Sequence, residues 1–350
     1  FIREKLLQEH PLHGFSGKYR KDDRRLFSYL YGEKAGMVFQ DKTEADSMTE
    51  LREISLFQLR KFLEDPIKWY YEKVMGIKFE EIEGPLSETE MLEPDHLQKW
   101  EIRKVFMETR LEEKTLIKKL KMDGKLQLGA AGIRQFEEIK TEIQDVKDRY
   151  CQRISGDPDM KLVSIPLEFE YEGKADFKVT VSGTVEKIYN AKEIITYCVS
   201  RKFEHRDKVR AIMNHLALCA SGEKIRSVCV RRDNPEEFFL DTIARKDASD
   251  KIEQIVKLYL EARDRMVLFA EEASKKIFEL IEEENKSNSD EAKIEKLKKE
   301  ALYEIKKLAY PEKYSFANLY IRQAWDEGLF AENFQKWVED TIKINAIISF

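Results

Sequence analysis

The sequence predicts a mixed α/β fold, a small mixed sheet of about five strands inside a large helical shell. Three observations carry that reading. Short runs rich in Val, Ile, Phe and Tyr are confined to residues 156–245. Segments with apolar residues at i, i+3, i+4 and i+7 lie on both sides of that block. Charged residues make up 37% of the chain, above the usual quarter, and gather in Glu/Lys-rich stretches of helical composition. The expected organisation is an irregular arm or linker over 1–50 and one domain over 51–350. That domain reads as helical over 51–155, β-rich with one helix over 156–245, and helical over 246–350.

The arm mixes Gly, Pro and aromatics with charges in HPLHGFSGKYRKDDRRLF, a pattern that suits a partner-binding extension better than a packed helix. Leu56, Leu59, Phe62 and Leu63 then follow helical spacing. Asp65 reads as an N-cap and Pro66 as a first helical residue, restarting the helix through Trp69, Tyr70 and Val74 to a stop at Gly76. An acidic segment, 79–95, precedes helices over 96–122 and 130–153, which flank the turn DGKLQLGAAG. Candidate strands are 161–171, 175–188, 193–200, 225–232 and 236–243. Between the third and fourth, Val209, Ile212, Met213, Leu216 and Cys219 form an apolar helical stripe that ends at Gly222. From 247 onward the pattern is helical, with breaks at NKSNSD (285–290) and Tyr310-Pro311.

A net charge of −5 argues against non-specific polyanion binding by the whole chain, though not against local basic patches. Four dispersed cysteines without a C-x-x-C pair argue against a close-spaced zinc or iron–sulfur site and for a reducing compartment, the cytoplasm. No apolar run approaches the ~18 residues of a membrane span. No G-x-x-x-x-G-K-[ST] occurs, so ATP binding is not expected here. The chain opens on Phe and in mid-pattern, which suggests a piece of a longer protein.

The run ISLFQLRKFLEDPIKWYYEKVMGI resembles the RecB-type nucleases and their relatives, where a helix is followed by Pro and an aromatic-rich helix. HPLHGFSGKY, LQKWEIRKVF, DGKLQLGAAG and RAIMNHLALCASG are similar, in that order, to segments of the RecC C-terminal domain. RecC is the gamma subunit of exodeoxyribonuclease V. In DGKLQLGAAG, Gln127 stands where that family usually has Pro. The resemblance spans essentially the whole chain. It implies a PD-(D/E)XK nuclease-like core in a subunit that guides duplex and single-stranded DNA for RecB-like and RecD-like partners during recombinational repair.

The resemblance also locates a site. Gly183-Thr184-Val185-Glu186 matches the G-x-x-D strand, and Ile194 to Cys198 matches the next, which ends in D-Y-K. Thr196 then occupies the metal-binding Asp position and Cys198 the Lys position. Phosphodiester hydrolysis needs carboxylates converging on Mg²⁺. A threonine hydroxyl lacks the required charge, and a thiol is a poor substitute for an ammonium. Glu186 is the one leftover acid. Glu193 has the wrong strand parity, and Lys202 lies about 13 Å beyond Cys198 at ~3.3 Å per residue. The expectation is a non-catalytic domain without cofactor or metal. Its alternatives are a divergent Mg²⁺ exonuclease using Glu186 with a migrated acid such as Glu204, and a pure assembly module. For phosphate contact the candidates are Arg201, Lys202 and Arg206 in RKFEHRDKVR, with Arg231 and Arg232 on a strand end where a DNA-facing hairpin is expected.

Overall fold

The structure is a computed structural model in which residues 53–79, 93–171, 173–285, 291–311 and 318–349 are described. These residues belong to one compact unit, Arg52–Phe350. The expected arm over 1–50 and most of the acidic segment 79–95 lie outside them.

Among the described residues, helical order begins where a capping box forces it. The Ser55 hydroxyl accepts from the Gln58 amide at 3.1 Å, and the Gln58 side chain accepts from the Ser55 amide at 3.0 Å. Strand β1 (Glu53–Ser55) therefore passes straight into α1 (Leu56–Glu64). Asp65 accepts from the Lys68 amide at 3.0 Å and Pro66 opens α2 (Pro66–Trp69). The helix runs on as a π-helical turn over Tyr70–Val74 before Gly76, at φ +69°, ends it.

The next helices are α3 (His96–Glu108), α4 (Glu113–Met122), α5 (Gly129–Thr141) and α6 (Gln144–Arg153). The two long helices expected here are thus each divided, at Thr109–Glu112 and at Glu142-Ile143. Gly132, inside α5, has a definite reason: a Cβ there would stand 1.9 Å from the Gln127 carbonyl oxygen, so any side chain would push the preceding turn off the helix.

Among the described residues the sheet has six strands: β1, β2 (Asp159–Tyr171), β3 (Lys174–Tyr189), β4 (Glu193–Cys198), β5 (Arg226–Arg231) and β6 (Phe238–Leu240). Their order is β1-β3-β4-β5-β6, with β2 paired to β3 on its other side. The unexpected sixth strand is β1, whose three residues are too few to show a period; it pairs parallel with Thr180–Ser182. β4 and β5 are parallel, joined through α7 (His205–Ala220); the remaining pairs are antiparallel. β2 and β3 form the longest pairing, and Pro166 sits mid-strand in β2 opposite Thr180. Aromatic rings close the far end of that hairpin, Phe169 and Tyr171 each packing on Phe177.

Helices cover both faces. On one, α3 to α6 bury Ile102, Phe106, Leu116, Phe136, Ile139 and Tyr150 against Tyr189, Ile195, Val199 and Val230 of the sheet region. On the other, α1 and α7 pack together and against α8 (Arg245–Asp264). Each of the large fully buried side chains, Phe62 and Phe136 among them, contributes roughly 1.5–3 kcal/mol. Gly183 marks the closest helix–sheet approach, since a Cβ there would lie 2.7 Å from Leu56 Cβ of α1.

Beyond α8 come α9 (Glu271–Glu284), α10 (Glu291–Ala309), α11 (Leu319–Asp326), α12 (Leu329–Glu332) and α13 (Phe334–Ile348). The break at Tyr310-Pro311 falls where the sequence places it. A further break at Arg265–Ala270 was not expected from the sequence. It is held open by Asp340, which accepts two hydrogen bonds from Arg265 (2.9 and 2.8 Å) and one from the Leu268 amide (3.0 Å). No helix among the described residues is long and apolar enough to cross a membrane.

Candidate functional site

β3 and β4 are joined through Ile188–Ile194 and Tyr189–Glu193. From there β3 continues beside β1 and β2, and β4 beside β5, so the strands part and leave a wedge between them. Glu186 lies on β3 just before this junction, and Thr196 and Cys198 on β4 just after it. The β2 register shows how β3 is shaped here: Lys161 pairs with Val185 but Asp159 with Ile188, so β3 carries one extra residue. This bulge holds Lys187 at φ +62° and lets Val185 and Ile188 both be buried, while Glu186 is left exposed.

Thr196 and Cys198 share a face, as strand alternation requires, and both are spent on internal contacts. The Thr196 hydroxyl donates to the Val228 carbonyl at 3.3 Å. The Cys198 thiol donates to Asp207 Oδ2 at 3.5 Å. Burial first, and then the Asp207 charge, pushes that thiol up to about 12, so it stays protonated at neutral pH. Cys229 on β5 is likewise pushed up to about 12 by burial. Cys198, Cys229, Phe203 and Phe238 pack into a small apolar plug. The Arg231 guanidinium lies 5.4 Å from the Phe203 ring.

The carboxylate beside Cys198 is that of Asp207. Glu204 is an exposed cap residue of α7, whose amide donates to Asp207 Oδ2 at 3.3 Å. The E-x-x-D spacing of that capping box is the one sequence signal that points to Asp207. Glu193 faces away from the wedge and pairs with Arg226 at 2.7 Å.

The opposite face of β4 was not anticipated. There the Tyr197 hydroxyl donates to Glu108 of α3 at 2.7 Å. Lys187 sits 4.5 Å from the Tyr197 ring centroid and 3.9 Å from Glu108. Burial lowers the Lys187 ammonium below its ordinary range despite Glu108. Among the described residues no three His, Cys, Asp or Glu side chains converge as a metal-holding group. An exposed lone carboxylate, a hydroxyl bonded to backbone and a protonated thiol do not fit Mg²⁺.

The basic candidates divide. Arg201 and Lys202, in the loop after β4, are exposed and make no hydrogen bond or ion pair among the described residues. Arg206 is mostly exposed and lies 3.6 Å from Asp65. Arg231 and Arg232 turn inward. Arg231 donates to the Glu236 carbonyl at 3.1 and 2.8 Å. Arg232 Nη2 and Arg103 Nη2 both donate to Glu142 Oε2, at 2.8 and 2.5 Å. Burial raises the Glu142 carboxyl, but hydrogen bonds and charge from Arg103 and Arg232 outweigh it and hold the group below the usual carboxylate range. The hairpin after β5 is short, because β6 has three residues, and its arginines serve the fold.

Comparison with known proteins adds one finding: the RecC C-terminal domain family matches residues 51–282. None of the curated proteins matches the chain significantly.

Proposed function

Because this chain belongs to the RecC C-terminal domain family, we propose that it is a non-catalytic, nuclease-like domain of a RecBCD-type helicase–nuclease. In this reading it works in the cytoplasm, contacts DNA near the point of strand separation, and scaffolds RecB-like and RecD-like subunits during repair of double-strand breaks. The frame is of the PD-(D/E)XK kind, related to the RecB-type nucleases, with its chemistry removed.

One observation carries the non-catalytic part. The two positions that match metal-binding Asp and catalytic Lys are Thr196, bonded to a backbone carbonyl, and Cys198, a buried neutral thiol bonded to Asp207. Neither supplies charge to a phosphate or a cation. Glu186 alone faces solvent. The DNA-contact part draws support from Arg201 and Lys202, exposed and without an ion pair among the described residues, on the loop that leaves the same strand.

The test incubates the chain with labelled single- and double-stranded DNA in Mg²⁺ or Mn²⁺, beside Glu186→Ala. The expected result is no metal-dependent cleavage by either. Cleavage that disappears in Glu186→Ala would overturn the reading and favour a divergent nuclease. For the contact itself, affinity should fall steeply with salt. A chain that binds its partner subunits but no DNA at any salt would instead be a pure assembly module.

A further inference from the structure

We propose that the rim formed by α1 and α7 holds single-stranded nucleic acid, with Phe57 as a stacking platform for a base and Arg60, Lys61 and Arg210 as phosphate contacts. The proposal rests on the DNA-contact reading above and goes on to say where a strand is held.

Leu56 and Phe57 open α1 and point in different directions. Leu56 is driven against Gly183 of the sheet, whereas Phe57 is 57% exposed. A large exposed aromatic at a helix start needs a reason, and its neighbours suggest one. Arg60 lies 5.0 Å and Lys61 5.8 Å from the Phe57 ring centroid. Both, together with Arg210 of α7, gather on a single carboxylate, Glu64, at 3.5, 2.7 and 3.6 Å. Glu64 is only 8% exposed, so it ties the cations together from beneath without screening their outer side.

Arg206, one turn earlier on α7, lies beside Asp65. Lys208 is 3.8 Å from Glu271 and is therefore matched. Arg60, Lys61 and Arg210 thus share one carboxylate, Glu64, a local excess of two positive charges beside Phe57, while Arg206 stands against Asp65. An exposed ring set among surplus cations is the combination that binds single strands: stacking accepts any base, and the cations follow the backbone. Duplex DNA, whose bases are already stacked, gains only the second part.

The experiment uses the full chain and a fluorescein-labelled oligothymidylate, with anisotropy read over a salt series. Phe57→Leu should weaken single-strand binding about tenfold and leave the salt slope unchanged. Arg210→Gln should lower that slope by about 0.7. Phe57→Trp should keep binding, and the new indole emission should be quenched as the oligonucleotide is added. Phe57 is exposed, so these changes should leave the fold intact, checked by circular dichroism. If the unsubstituted chain binds the oligonucleotide while Phe57→Leu binds equally well and the indole emission does not move, the strand lies elsewhere. This site then falls and the DNA-contact reading stands. If the unsubstituted chain binds no oligonucleotide even at low salt, the DNA-contact reading itself fails, and the site with it. Unchanged oligonucleotide affinity with loss of partner-subunit binding would make Phe57 a protein contact and overturn the proposal.

Discussion

The loops that follow the two parallel strands make an instructive pair. β4 leads into Arg201-Lys202 and β5 ends in Arg231-Arg232, so each strand delivers a basic dipeptide to the same end of the sheet. After β4 both cations are exposed and unpaired among the described residues. After β5 one guanidinium caps its own loop and the other shares Glu142 with Arg103. Equal charge in the sequence thus serves two ends. One pair is available to a ligand, and the other fastens β5 to the turn between α5 and α6. What separates them is the presence of acceptors within reach, the Glu236 carbonyl of the same loop for Arg231 and the Glu142 carboxylate from another part of the chain for Arg232.

The comparison can be broken most forcefully at Glu142. Removing that carboxylate leaves two largely buried guanidiniums facing each other. Glu142→Leu is expected to cost about 2–3 kcal/mol in urea unfolding, less than the 3–5 of a fully buried pair because the Glu142 side chain is one-third exposed. Gly183→Ala, remote from both loops, should cost about 1–3 kcal/mol through the clash with Leu56, and it controls for general fragility. The pH dependence sharpens the contrast further. Glu142 is held below its ordinary value of 4.5, so its stabilisation is fully present above that pH and is lost as pH falls through the lower folded-state value. The stability gap between the natural chain and Glu142→Gln should therefore shrink in acid.

On the β4 side the double change Arg201→Ala with Lys202→Ala should move stability by less than about 0.5 kcal/mol. It should also reduce the salt slope of DNA binding by about 1–2. A large loss of stability there would erase the distinction between the loops. The smallest effect concerns thiols. Cys151 is exposed, whereas Cys198 and Cys229 are buried with thiols pushed up to about 12. Brief alkylation of the native chain at pH 8, read by mass spectrometry, should modify Cys151 and spare the other two.

Much of the fold was legible because its signals are local. β2 to β5 announce themselves through Val, Ile and Phe runs between turn residues, and the α7 stripe through its helical period. β1 was hidden because three residues have no period to detect. The break at Arg265–Ala270 was hidden because the residue bonded to it, Asp340, lies far along the chain. The site was legible to the same degree. Strand parity put Thr196 and Cys198 on one face, and residue chemistry made both poor metal ligands. That Asp207 would lie beside Cys198, or that a bulge would set Lys187 against Tyr197 and Glu108, depends on register and packing that no spacing reveals. The inward turn of Arg231 and Arg232 was missed for the same reason.

Pro166 has a consequence outside recognition and catalysis. Among the described residues β2 pairs only with β3, so on its other side no described strand uses its row of backbone groups, beside exposed Met160 and Leu162. Such an edge invites aggregation, because a neighbouring molecule can add itself as a further strand. A proline is tolerated within a paired strand when its nitrogen faces away from the partner, and there it removes a donor from the outward row. One imino acid at mid-strand therefore acts as a gatekeeper of solubility: with a threonine in its place the row would be unbroken, and the molecule would gain a template for its own polymerisation.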